Sequence, residues 1–266
     1  MRAVVVLLVF LAATFSAAVA SAAEPTVEIP SRNQKIRAIL LKPEQPVASV
    51  ILLVGGHGQM DIAADGAIKW GRGNQLIRTR ADYFKQGFAV LVPDIAPDWK
   101  CPERKPVSGY RWHARHGGDL GALVAYMRTI AEPVVVVGTS RAAVSAGVML
   151  LVTEGKNRPD YVVLTAPMLM PAGNQPSFQK AIQGNARRAQ IPMLLVGNKK
   201  DQCKFTLPAS IEAFRRWRGG DKLDILMLDG PQGTGHPCEA RAAHGFAEID
   251  DQVVNAVSDW IKRQKP

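Results

Sequence analysis

Unbroken apolar runs recur along the chain, spaced so that a helix fits between most neighbours. They read VILLV at residues 50–54, AVLV at 89–92, VVVV at 134–137, YVVL at 161–164 and MLLV at 193–196. A strand that is apolar at every position, not at every second one, is buried on both faces. Helix-like segments follow these runs: IRTRADYFKQGF closed by Gly87, HGGDLGALVAYMRTI with Asp119 near its start, RAAVSAGVMLLV, and PASIEAFRRW. Strands alternating with helices in this way predict an α/β fold, a mostly parallel twisted sheet with helices on both faces. LDILMLD at 223–229 supplies a last strand and EIDDQVVNAVSDWIKRQ an amphipathic terminal helix. VEIPSRNQKIRAILLKP, with short alternating segments around a polar turn, predicts a β-hairpin in front of the sheet.

The beginning of the chain has a different logic. Arg2, the apolar stretch VVVLLVFLAATF, and small residues from Ala18-Val19-Ala20 to Ala22-Ala23 have the three parts of a secretory signal peptide. The stretch is too short and wrongly flanked for a stable membrane span. Residues 1–23 are therefore expected to be a leader. Residues 24–266 are expected to be one soluble domain, periplasmic or secreted, with no stable membrane insertion. With 266 residues and 47% hydrophobic content, the chain can bury a substantial core. Its three cysteines, Cys101, Cys203 and Cys238, then meet an oxidising compartment, where one disulfide and one odd thiol are expected. Sequence alone allows three pairings. No C-x-x-C or H-x-x-x-H spacing accompanies them, so no metal is expected. The net charge is +10, but the basic residues (Arg78, Arg80, Arg104, Lys105, Arg187, Arg188, Lys199, Lys200, Arg215, Arg216) are scattered, and no aromatic-interleaved basic motif appears. Nucleic acid is not an expected partner. The sequence does not fix the oligomeric state.

The valine run 134–137 ends abruptly in Gly138-Thr139-Ser140, and the next helix begins at once. A serine on so sharp a strand-to-helix turn is held in a strained backbone with its Oγ raised above the sheet. Small neighbours are needed because strand and helix nearly touch there. The helix N-terminus adds free N–H groups and the positive end of its dipole.

Gly138-Thr139-Ser140-Arg141-Ala142 reads as G-x-S-x-A, one methyl away from the commoner G-x-S-x-G. On this elbow and its place after the middle strand, the chain resembles the α/β-hydrolase superfamily over nearly the whole mature sequence. More narrowly it looks like exported bacterial serine hydrolases of poorly defined substrate. The resemblance implies a nucleophile, an acid and a histidine in the chain order Ser, Asp, His. Ser140 is the expected nucleophile. Asp201, ending the strand IPMLLVGNKKD on the same sheet edge, is the expected acid, with Asp229 as runner-up. Two histidines follow the last strand, His236 in GTGHPC and His244 in AAHGF. His244 is preferred, because His-Gly-Phe just before the terminal helix is similar to the histidine loop of dienelactone-hydrolase-like members; His236 is the alternative base. The same motif argument favours a Cys203–Cys238 disulfide, which would tie residues 236–238 beside the acid loop and let the chain present His244 over Ser140. The oxyanion donors are expected to be the backbone N–H of Arg141 and of His57 in Gly56-His57-Gly58, with Gly58 next.

These residues imply an esterase-like serine hydrolase acting on a small-molecule ester through an acyl-enzyme, with no cofactor. A peptidase or amidase of the same fold, or a non-catalytic ligand-binding protein, are the alternatives. Asp94 in VPDIAPD is expected to hold neighbouring loops together, and His113 and His116 to form an exposed helix start. The Pro-rich excursion carrying Trp99, Cys101, Tyr110 and Trp112 is the expected wall of the binding cleft.

Overall fold

A computed structural model describes residues 24–103 and 109–264. The expected leader, 1–23, lies outside the described residues. Among those described, no helix is long and apolar enough to cross a membrane.

The chain opens with the hairpin β1 (Thr26–Ser31) and β2 (Gln34–Leu41), paired antiparallel with Ile29 opposite Ile36. The apolar runs become β3 (Ser49–Leu53), β4 (Ala89–Pro93), β5 (Val134–Thr139), β6 (Tyr161–Thr165) and β7 (Met193–Asn198). The last strand is β8 (Leu223–Leu228). All eight lie in one sheet in the order β1-β2-β4-β3-β5-β6-β7-β8. β2 pairs antiparallel with β4, and every pairing from β4 to β8 is parallel. Parallel neighbours leave all the strand ends on one edge, and the loops that follow β3, β5, β7 and β8 open there.

Successive side chains of a strand face opposite ways, so each apolar run feeds two cores. Ile51, Val134 and Val136 face one core, together with Leu123 and Met127 of α3 (Ala114–Arg128), Ala146 and Met149 of α4 (Ala142–Val152), and Phe214 of α6 (Ala209–Arg218). α5 (Phe178–Ala181) adds Phe178 to that side. Val50, Val135 and Val137 face the other core. There they meet Leu76 and Ile77 of α1 (Gln75–Arg78), Tyr83 of α2 (Arg80–Lys85), and Val253, Val257 and Trp260 of α7 (Asp250–Arg263). Two helical layers thus cover a sheet whose central strands are fully buried, as the unbroken runs predicted.

Asp94, just past β4, is buried and acts as a clamp. It accepts hydrogen bonds from the backbone N–H of Met60 (2.9 Å), Ile62 (3.1 Å) and Ile95 (2.9 Å), and from Lys100 Nζ at 2.6 Å. The histidine pair at the start of α3 is split. His113 is exposed and caps the helix, its Nδ1 accepting from the Arg115 N–H at 3.2 Å. His116, expected at the surface, is instead buried, because one turn into α3 the helix faces α4; its Nε2 lies 2.9 Å from Ser145 Oγ.

Burial, reinforced by the nearby positive charges of Arg111 and Arg32, holds the His116 pKa down at about 3 against an ordinary 6.5. The unfolded chain can therefore take up a proton that the folded one refuses. This contribution to stability is fully present above pH 6.5 and is lost as the pH falls toward 3. His116→Gln is expected to remove a slope of about 1.4 kcal/mol per pH unit from the unfolding free energy in that window. Urea denaturation at stepped pH would measure it, and an unaltered slope would refute a neutral, buried His116.

Candidate active site

Ser140 stands one residue beyond β5 at φ 54°, in the left-handed region that a side chain normally avoids. The surroundings over-determine this conformation. The Ser140 N–H donates to Thr165 O on the neighbouring strand at 2.9 Å, and its own carbonyl accepts from the Met168 N–H at 3.2 Å. From the other side comes Gly55, where a Cβ would lie 3.1 Å from both Ser140 Cβ and Thr139 O, closer than ordinary contact, so glycine suits the tight approach of the loop after β3. The Ala143 N–H donates to Ser140 O at 3.1 Å, and α4 leads away from the hydroxyl.

His244 is carried by a single turn, Ala243–Gly245, between β8 and α7. That turn is fixed by the Asn198 amide, which donates to Ala243 O at 3.1 Å, and by the Ala243 N–H, which donates to Gln232 O at 2.7 Å. Phe246 follows at φ 57° with its ring fully buried. The imidazole Nε2 lies 3.1 Å from Ser140 Oγ and Nδ1 lies 3.1 Å from Asp201 Oδ2. Asp201 is buried, its Oδ1 accepting from the Cys203 N–H at 2.8 Å. Thr206 Oγ1 donates to Asp201 Oδ2 at 2.8 Å and lies 2.9 Å from His244 Nδ1. With Nδ1 protonated, the ring donates into this Asp201–Thr206 pair and offers Nε2 as an acceptor to the serine hydroxyl. Three loops from three strand ends thus meet in one hydrogen-bonded line.

The alternatives stand apart from this line. His236 is exposed, and its Nδ1 accepts from the Cys238 N–H at 3.2 Å. Asp229 is exposed between Lys199 Nζ at 3.8 Å and Lys200 Nζ at 3.4 Å. Cys203 and Cys238 form a disulfide closing a span of 35 residues, and Cys101 is free. On the chain-entropy account such a closure stabilises by roughly 3–4 kcal/mol. It also joins the loop of Asp201 to residues 238–240, which edge the cleft.

The cleft over Ser140 has a volume of about 410 Å³. Its walls are Gly55 and Gly56, then Trp70 with Gly71 and residues 73–75, then 238–240, with His244 and Gly245 at the base. None of Trp99, Cys101, Tyr110 and Trp112 lines it, contrary to the expectation from sequence. Trp99 and Tyr110 are buried in the core, and the Trp99 Nε1–H reaches Asp119 Oδ2 at 3.3 Å. The aromatic wall is Trp70, packed against His57 with ring centroids 3.7 Å apart and planes tilted by 37°. A Cβ on Gly56, at φ 56°, would strike that indole at 2.8 Å.

Two further residues escaped the sequence reading. Thr206 lies five positions past the acid in an irregular loop, where no pattern marks it. Arg78 gathers the cleft's far side: its guanidinium donates to Gly73 O (2.6 Å), Ala240 O (3.2 Å) and Gly245 O (2.6 Å), and pairs with Asp250 at 2.6 Å.

No protein-family model and no curated protein matches the chain. Solved structures do match in shape. An esterase of Pyrococcus furiosus aligns with a TM-score of 0.62 at 14% identity, over 90% of this chain and 92% of that one. The dienelactone hydrolase of Anabaena variabilis gives 0.61 at 16%, over 91% and 98%. A thermophilic esterase of Thermogutta terrifontis, solved with propionate bound, gives 0.60 at 11%, over 92% and 97%. At such identities the likeness speaks for architecture, and with the sheet order and the turn at Ser140 it shows that the chain has the α/β-hydrolase fold.

Proposed function

We propose that the chain is an exported, periplasmic or secreted serine hydrolase that cleaves a carboxylic ester of a small molecule through an acyl-enzyme. The observation that carries this reading is the continuous line Ser140 Oγ, His244, Asp201, with both nitrogens of the imidazole at 3.1 Å from their partners. Ser140 Oγ attacks the ester carbonyl as its proton passes to His244 Nε2. Asp201 holds the ring and balances the imidazolium. The tetrahedral oxyanion is held by the N–H of Arg141, which donates to no acceptor among the described residues, and by the N–H of His57 in the loop after β3. Collapse expels the alcohol, which takes the proton from His244. Water, deprotonated by the same nitrogen, then releases the acid and restores Ser140. No cofactor enters. The disulfide supports export, since such bonds persist where thiols are oxidised. The esterase neighbours in shape support the ester over the amide as first substrate to test.

A fluorophosphonate probe is expected to label the wild-type protein once, at Ser140, and Ser140→Ala is expected to abolish labelling with the circular dichroism spectrum intact. Labelling that survives in the alanine variant would defeat the assignment.

A further inference from the structure

A trans peptide sets its C=O and N–H on opposite sides, so holding one fixes where the other points. Four consecutive carbonyls follow β3, those of Val54, Gly55, Gly56 and His57, and two adjacent side chains hold all four. Arg111 Nη2 donates to Val54 O at 2.9 Å, Gly55 O at 3.3 Å and Gly56 O at 3.4 Å. The Tyr110 hydroxyl donates to His57 O at 2.8 Å. The N–H groups that share these four peptides, those of Gly55, Gly56, His57 and Gly58, must then point the other way. Gly55 and Gly56 border the same cleft as Ser140, and a Cβ added at Gly55 would lie 3.1 Å from Ser140 Cβ. The Gly56 N–H makes no hydrogen bond among the described residues. Gly58, at φ 87°, has no room for a Cβ against the Tyr110 hydroxyl and the Arg111 guanidinium, so the loop and its clamp fit only with glycine there.

The clamp is built in an unusual way for a buried cation. Arg111 is 6% exposed and pairs with no carboxylate among the described residues. Its Nη1 donates to Ser145 Oγ at 2.7 Å, and Ser145 Oγ in turn lies 2.9 Å from the neutral His116 ring. A carboxylate at Arg111 would cancel its charge. The serine–histidine pair only anchors it, so the positive charge stays directed at the loop carbonyls and lies behind the N–H groups they polarise.

We infer that Tyr110 and Arg111 are positioning residues for oxyanion stabilisation: they hold the loop after β3 with its N–H groups turned to the Ser140 side and lend that loop an uncompensated positive charge. This deepens the hydrolase reading and rests on it.

The test compares wild type, Tyr110→Phe, Arg111→Lys and Arg111→Met on p-nitrophenyl acetate and on a trifluoromethyl ketone, which forms an anionic adduct with a serine. The expected result is a fall in kcat of about tenfold for Tyr110→Phe and about 100-fold for Arg111→Met, approaching the loss of a whole oxyanion donor, with KM little changed. Arg111→Lys should fall between, since it keeps charge without the fork. Ketone affinity should fall in step with kcat/KM across the series, which a merely structural role would not produce. Tyr110→Phe, the smallest change, keeps the test valid if Arg111→Met fails to fold. Variants that match wild type in kcat and in ketone affinity would overturn the inference while the hydrolase reading stands. A wild-type protein that neither turns over the ester nor binds the ketone would overturn both.

Discussion

Replacing His244 with alanine is expected to lower kcat/KM on a short acyl ester by about 10⁵–10⁶-fold, the scale on which loss of a general base disables a serine nucleophile. The same change at His236 is expected to leave kcat/KM at the wild-type value. The contrast follows from placement. His244 sits with its Nε2 3.1 Å from Ser140 Oγ, whereas His236 is exposed and occupied by the Cys238 N–H. Removing His244 also leaves Asp201 facing an empty space, although Thr206 and the Cys203 N–H still hold the carboxylate. The fold should therefore survive, as a thermal melt would check. Equal losses in the two variants, or a larger one at His236, would move the base to the other loop.

The second large effect is expected at the acid. Asp201→Asn should cost about 10⁴-fold in kcat, because an amide reverses the proton pattern of the imidazole. Oδ1 of Asp201 accepts from the Cys203 N–H, and Oδ2 accepts from Thr206 and stands at His244 Nδ1. An asparagine can keep its oxygen on only one of these sides. With the oxygen toward Cys203, its NH₂ faces Nδ1 and drives the ring proton to Nε2, where it meets the serine hydroxyl donor to donor. With the oxygen toward His244, NH₂ opposes the Cys203 N–H and the acid loop is strained. Steady-state rates across pH would show the loss at every value, not a shifted optimum. A loss below about tenfold would be too small for the orienting acid of a triad and would transfer that role to Asp229.

The sheet was legible from the sequence because burial on both faces writes itself as continuous apolar runs. Val134–Val137 divides its side chains between two cores, and each had to be apolar. The sharp turn at Gly138-Thr139-Ser140 was legible for a similar local reason: only small residues fit where β5 runs into α4. What joins β3 to β4 was less so. Residues 58–74 lack both periods, yet they carry Trp70, the aromatic face of the cleft. The excursion with Trp99 and Tyr110 had the aromatics expected of a wall. Those side chains turn inward, where Asp119 and the carbonyl of His57 satisfy their polar ends. Aromatic content in a loop cannot distinguish an inward anchor from an outward surface; that depends on where distant partners such as Asp119 lie. Thr206 and Arg78 escaped for the same reason, since each acts through contacts that the linear order does not announce.

The cross-link between Cys203 and Cys238 has a consequence for how the centre can fail. One end sits beside Asp201, which accepts from the Cys203 N–H, and the other lies at the edge of the cleft over Ser140. A single two-electron reduction would free that edge from the loop of Asp201, with no residue altered. That link is thus open to electron donors in the surroundings, which never need to touch an ester.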